Sequence, residues 1–94
     1  MSSPARGWAF LTNHAYVLLC VAADPDIRVR NLAERVGITE RAAQRILSEL
    51  VAEGYLDKER VGRRNTYTVY GDRPLRHPLQ GDRTVGELLR LLSR

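Results

Sequence analysis

The stretch from residue 29 to residue 47, VRNLAERVGITERAAQRIL, decides the fold. Before its glycine, the stretch has apolar residues at helical spacing, which predict a helix of about two turns: Leu32, Ala33 and Val36. The pattern stops at Gly37, which can take the left-handed conformation that ends a helix. Ile38 can then pack between two helices, and Thr39 is a favoured N-cap for the next one. Two helices are therefore predicted to meet through a tight turn.

The helix after this turn is predicted from about Thr39 to Glu53, before Gly54 stops it. Its apolar face consists of Ala43, Ile46, Leu47, Leu50 and Val51. With that face buried, the polar residues available to a partner are Thr39, Arg41, Gln44, Arg45 and Ser48. Arginine can bind a guanine edge with two hydrogen bonds, glutamine can do so with adenine, and hydroxyls can reach phosphates or bases. The alternative is a solvated face, but a stabilising helix would more often place Glu before Lys than Arg41 before Arg45.

The hydrophobic period then changes from helical to strand-like. Tyr55–Arg60 and Thr66–Tyr70 are predicted strands, joined by residues 61–65, VGRRN, which contain the Gly and Asn of a hairpin loop. Arg63 and Arg64 at the tip suit contact with phosphates or the minor groove, whereas the alternative is a solubilising loop. The residues assigned to DNA contact by this hairpin are Lys58, Arg60, Arg63, Arg64 and Asn65.

Upstream, a first helix is predicted from about Asn13 to Ala23. Thr12 is its expected N-cap, and the residue before Pro25 is pushed out of helical geometry, which ends the pattern. Ile27–Val29 alternates and is predicted as a very short strand.

Downstream, residues 71–83 are predicted to form an extended connection, because prolines interrupt any long regular element. Residues 84–93 start with a capping box and form a C-terminal helix. One apolar stripe on this helix predicts dimerisation: Val85, Leu88, Leu89 and Leu92. The alternative is that the stripe folds back onto its own domain.

Composition fits one domain over residues 1–94, with a net charge of +4 that favours a polyanionic partner. Positive charge is concentrated after residue 57. The single cysteine, Cys20, allows no disulfide within the chain, and no apolar run resembles a signal peptide or a membrane span. A cytoplasmic location is therefore expected.

Catalytic chemistry has little support in the sequence. The two histidines, His14 and His77, lie in unrelated elements without partners at metal or triad spacing. No glycine-rich phosphate loop follows a strand. We therefore predict no catalytic residues, no metal ligands and no cofactor, and we interpret Cys20 as an inert buried thiol.

The order of elements from Thr12 to Tyr70 closely resembles the winged helix-turn-helix. Residues 50–56 and 60–67, LVAEGYL and RVGRRNTY, resemble the recognition-helix exit and wing of bacterial regulators similar to the MarR and ArsR families. The resemblance implies a mainly α fold with a small β-hairpin: a three-helix core, a wing and an additional C-terminal helix.

For function, this resemblance implies a transcriptional regulator that binds double-stranded DNA sequence-specifically as a homodimer on a pseudo-palindromic site. The metal-sensing cysteine cluster of many ArsR-type repressors is absent, so ligand sensing is not carried over. Two alternatives stay open: a winged helix used for protein–protein contact, and the DNA-anchoring fragment of a larger regulator or enzyme.

Overall fold

The structure is a computed structural model and describes residues 8–93. Its elements are α1 (Asn13–Ala23), α2 (Val29–Val36), α3 (Glu40–Ala52), β1 (Leu56–Val61), β2 (Arg64–Val69), a 3-10 turn (Pro78–Gln80) and α4 (Val85–Leu92). The first seven residues, which the search for a signal peptide included, lie outside the described residues. The predicted fold class is confirmed: helices dominate, one hairpin follows α3, and a further helix closes the chain.

Three helices form the centre of the molecule because each buries one apolar stripe against the others. The largest fully buried side chains come from each of the three helices and from the base of the hairpin: Leu32, Ile46, Leu56, Val17 and Val21. Thr12 caps α1, since its Oγ1 accepts a hydrogen bond from the Ala15 backbone N–H at 3.2 Å. No buried side-chain nitrogen or oxygen in residues 8–93 lacks a hydrogen-bond partner.

The turn between α2 and α3 has the predicted chemistry. Gly37 has φ 88° and ψ 35°, a left-handed conformation that glycine adopts without steric cost. The N–H groups of Gly37 and Ile38 both donate to the Ala33 carbonyl, at 2.8 and 3.0 Å. Thr39 then caps α3, because its Oγ1 accepts from the Ala42 N–H at 3.0 Å. These bonds satisfy backbone groups that helix ends leave free and fix the direction in which α3 leaves.

The short strand predicted at Ile27–Val29 is wrong. Val29 is the first residue of α2, and Ile27 is buried in the preceding turn, with its N–H donating to the Asp24 carbonyl at 3.1 Å. A single backbone bond links this turn to the hairpin, from the Tyr67 N–H to the Pro25 carbonyl at 3.0 Å. Burial of Ile27, and not strand pairing, explains why this segment is apolar.

The hairpin loop is shorter than predicted. Strands β1 and β2 are antiparallel, with Leu56 opposite Val69 at the base and Val61 opposite Arg64 at the tip. Only Gly62 and Arg63 therefore connect them, and Gly62 has φ 64°, as the first loop position of a type II′ turn requires. Turn-forming residue types suggested a five-residue loop, but cross-strand bonds extend β2 back to Arg64.

The C-terminal segment folds back onto α1. The Gly86 N–H donates to the Gly71 carbonyl at 2.8 Å, and the Val85 N–H donates to the Arg73 carbonyl at 2.8 Å. A Cβ on Gly86 would lie 2.8 Å from the Gly71 carbonyl oxygen, so only glycine permits this approach. The start of α4 is thereby held close to the chain that leaves the hairpin.

This arrangement divides the apolar stripe of α4. Val85 and Leu89 are buried in the core of their own chain. Leu88 is half-buried, and Leu92 is 43% exposed. The alternative that the stripe folds back onto its own domain therefore holds for Val85 and Leu89. Of the four stripe residues, only Leu88 and Leu92 have exposed surface left for a partner.

Candidate nucleic-acid interface

The outward face of α3 carries every residue that the sequence assigned to it. The inner residues Ala43, Ile46, Leu47 and Leu50 are buried, whereas the assigned residues are all exposed: Thr39, Arg41, Gln44, Arg45 and Ser48. The helix and its N-cap therefore present two guanidinium groups, an amide and two hydroxyls.

Most of these side chains have no internal partner. Within residues 8–93, no hydrogen bond or ion pair involves the side chains of Arg41, Gln44 or Ser48. Thr39 accepts the α3 cap bond through Oγ1, but its hydroxyl proton can still be donated outward. Arg45 is the exception, since its guanidinium pairs with Glu49 at 3.4 Å.

The hairpin, which we call the wing (residues 56–69), projects its charges into solvent. Lys58, Arg60, Arg63 and Arg64 are exposed, and Asn65 is half-buried. The Arg60 Nε–H donates to the Gly62 carbonyl at 3.2 Å, which draws this side chain toward the loop. The wing therefore ends in a cluster of cationic groups.

Strand register shows which wing residues share a face. Side chains alternate along a strand, so Lys58 and Arg60 lie on one face with Asn65, which is opposite Arg60. Arg64 is the cross-strand partner of Val61 and lies on the other face of the hairpin. Asp57 and Glu59 lie on that same face. The structure thus groups Lys58, Arg60 and Asn65 and separates them from Arg64. Sequence reasoning found the basic residues but missed this segregation of charge.

Sequence reasoning also missed two residues beside the α3 face. His14 on α1 contacts Glu49 on α3, with 2.7 Å between Nε2 and Oε1. This hydrogen bond, together with the charge of Arg45, lowers the pKa of the Glu49 carboxyl. The i,i+4 spacing of Arg45 and Glu49 could have suggested their pairing, but His14 and Glu49 are 35 positions apart and their contact had no sequence signal.

In residues 8–93, no group of three His, Cys, Asp or Glu side chains is placed to hold a metal ion. None of the helices there combines the length and apolarity of a bilayer-spanning segment.

Comparison with solved structures gives the same arrangement of elements. The PcaV transcriptional regulator of Streptomyces coelicolor, solved with its natural ligand, is 30% identical with a TM-score of 0.56, over 64% of this chain and 45% of that chain. A MarR family protein of Mycobacterium tuberculosis, solved with salicylic acid, is 21% identical with a TM-score of 0.55, over 86% of this chain and 59% of that chain. This chain therefore spans about half the length of the solved proteins that it matches.

A search of curated proteins found no match. The sequence model of the MarR family matches residues 10–64, which run from the approach to α1 into the first residue of β2. That range includes the whole helix-turn-helix and the loop of the wing. With more than half of its residues matched and the fold in agreement, the chain belongs to the MarR family.

Proposed function

We propose that this chain is a transcriptional regulator that binds double-stranded DNA sequence-specifically. The observation that carries the proposal is the outer face of α3. It is exposed, polar and, except at Arg45, without internal side-chain partners other than the cap bond within residues 8–93. The buried free thiol of Cys20 is compatible with the reducing cytoplasm, where we propose that the protein acts.

In this proposal, α3 enters the major groove. Arg41, Gln44 and Arg45 contact base edges, while Thr39 and Ser48 contact phosphates or bases. The wing lies along the flanking backbone, where Lys58, Arg60, Arg63, Arg64 and Asn65 are available to phosphates. Reading of bases and binding of backbone are thus assigned to different elements.

The experiment begins with selection of bound sites from random DNA, followed by titration of the selected site and a random duplex. Replacing Arg41 or Gln44 with Ala should each weaken binding to the selected site by about 1–3 kcal/mol and affect random DNA less. Replacing both Arg63 and Arg64 with Gln should weaken binding to both DNAs and lower the salt slope by roughly one or two. Failure of the parent to enrich any motif would contradict the proposal and favour the protein-contact alternative.

We also propose that the chain acts as a homodimer, because α4 leaves apolar surface uncovered. Leu88 and Leu92 line a groove together with Trp8, Phe10 and Tyr16, and Trp8 is 68% exposed. A two-fold dimer through this surface would present two α3 helices to a pseudo-palindromic site. Val85 and Leu89 are already buried and would support the interface from behind.

Light scattering or sedimentation tests this part of the proposal. The parent should be dimeric at concentrations on the order of tens of micromolar, and the Leu88→Glu, Leu92→Glu double variant should be monomeric and folded. Leu79→Glu is the matched control, because Leu79 is 90% exposed in the connection and does not line the groove. A monomeric parent, or a double variant that stays dimeric, would contradict dimerisation through α4.

A further inference from the structure

A chain of polar contacts connects α1 to the outer face of α3. Glu49 lies at its centre: Oε1 accepts from His14 Nε2 at 2.7 Å, and Oε2 accepts from Arg45 Nη1 at 3.4 Å. The side chains of His14 and Glu49 are 44% and 47% exposed, and that of Arg45 is 62% exposed. Four residues within α3 itself are assigned to DNA contact: Arg41, Gln44, Arg45 and Ser48. Of these four, Arg45 alone has a side-chain hydrogen bond to another residue within residues 8–93.

We propose that Glu49 and His14 are positioning residues for Arg45, and that they raise the selectivity of the chain for its own DNA site. Glu49 fixes the guanidinium, and His14 fixes Glu49 from a different helix. The inference rests on the proposed function, since it concerns how a DNA-reading arginine is presented.

The physical reason is preorganisation. An arginine side chain loses rotamer freedom when it binds a base edge, and this ordering weakens binding. A carboxylate that already holds Nη1 removes part of this loss, and the remaining N–H groups of the planar fork stay available for a guanine edge. Because His14 occupies Oε1, Glu49 is oriented before DNA arrives.

The same carboxylate acts differently on random DNA. Non-specific binding depends on phosphate charge, so a negative group beside Arg45 weakens it wherever the helix docks. Glu49 should therefore favour the specific site and disfavour other sequences. An ordinary surface ion pair contributes little to stability and would leave the ratio of the two affinities unchanged.

The decisive variant is Glu49→Gln, which removes the charge and keeps the shape. Its binding to random DNA should strengthen, while the ratio of specific to random affinity should fall roughly two- to five-fold, the size expected for an exposed ion pair. The matched control is Glu53→Gln, which removes one negative charge at the end of α3, where Glu53 pairs with Arg76 at 3.6 Å. The control should strengthen binding to both DNAs with an unchanged ratio.

A pair of variants at His14 tests the outer link. His14→Gln keeps an N–H donor at a similar reach and should retain the parental ratio, whereas His14→Ala should lower it in the same direction as Glu49→Gln. Thermal unfolding of each variant separates positioning from loss of fold. If His14→Ala and His14→Gln give the same ratio, His14 does not position Glu49.

The outcomes distinguish this inference from the proposed function. A parent that selects no site contradicts sequence-specific binding itself. A parent that selects a site, with equal ratios for the parent, Glu49→Gln and Glu53→Gln, overturns only the positioning role. A selected motif that broadens at one base position in both Glu49→Gln and Arg45→Ala would support it.

Discussion

Helices α3 and α4 start in the same way and are held in different ways. Each has a threonine N-cap: Thr39 Oγ1 accepts from the Ala42 N–H at 3.0 Å, and Thr84 Oγ1 accepts from the Glu87 N–H at 3.2 Å. In α4 the cap is reciprocal, because Glu87 Oε1 accepts from the Thr84 N–H at 2.9 Å. The corresponding position in α3 is Ala42, so α3 has only half of this cap.

The difference lies in what each helix buries and exposes. Four residues of α3 are buried in the core, and its opposite face is polar. Helix α4 buries only Val85 and Leu89, and its far end exposes apolar side chains, with Leu91 at 79%. Helix α3 is thus held along its length and suits a charged, hydrated partner. Helix α4 is held through its first five residues, and its exposed end suits an apolar partner.

The largest effect that follows concerns Gly86 in α4. Gly86→Ala should destabilise the domain by about 1–3 kcal/mol, because its Cβ would meet backbone atoms of Gly71 that cannot move independently. Urea unfolding monitored by circular dichroism measures this change. Ser48→Ala on the outer face of α3 is the control and should change stability by no more than about 0.5 kcal/mol. A stabilising Gly86→Ala, as helix propensity alone would give, would show that α4 does not depend on this contact.

The two N-caps should give the next largest effects. Thr39→Ala and Thr84→Ala should each cost about 1 kcal/mol, with the larger loss at Thr84 because the reciprocal bond of Glu87 loses its geometry as well. Thr39→Ser and Thr84→Ser keep the hydroxyl and should remain near the parent. Equal losses for both alanine variants would mean that the second half of the capping box contributes nothing.

The smallest effect is the pH dependence of the α4 cap. Hydrogen bonds from Thr84 and Arg83 lower the pKa of the Glu87 carboxyl from its ordinary value near 4.5. A lowered pKa in the folded state means that this carboxylate stabilises the fold above pH 4.5 and that the contribution disappears as pH falls through the folded value. Melting temperatures recorded from pH 7 to acid pH should therefore decline less for Glu87→Gln than for the parent. An identical decline would exclude Glu87 as a contributor.

Much of the fold could be predicted because its signals are local. Thr12, Gly37 and Thr39 act on backbone groups within four residues of themselves, and the structure uses each as its residue type indicates. The exposed face of α3 followed from its period alone. The ends of β1 and β2 could not be predicted equally well, because hydrogen bonds between strands, and not residue type, decide where a hairpin loop begins.

The remaining errors concern contacts between distant residues. The hydrophobic period of α4 identified its apolar stripe. It could not show that Gly71 and Gly86 would lie in close contact, which places Val85 and Leu89 in the core of their own chain. Ile27 is buried in the core, and an apolar residue in a short alternating segment predicts a strand whether it pairs with another strand or only packs. His14 reaches Glu49 only because α1 packs across α3.

The shape of the wing has a consequence for its motion. Of the six residues of β1, only Leu56 is buried, so β1 is anchored to the core at one end. Toward the tip, β1 pairs only with β2. An isolated two-stranded ribbon is marginally stable in water. Amide protons near Leu56 should therefore exchange with solvent slowly, through opening of the whole domain, and those near Gly62 quickly, through local fraying. A bound polyanion should slow exchange most near Gly62 and so reduce this gradient, because the end of the wing farthest from the core is the end that carries Arg63 and Arg64.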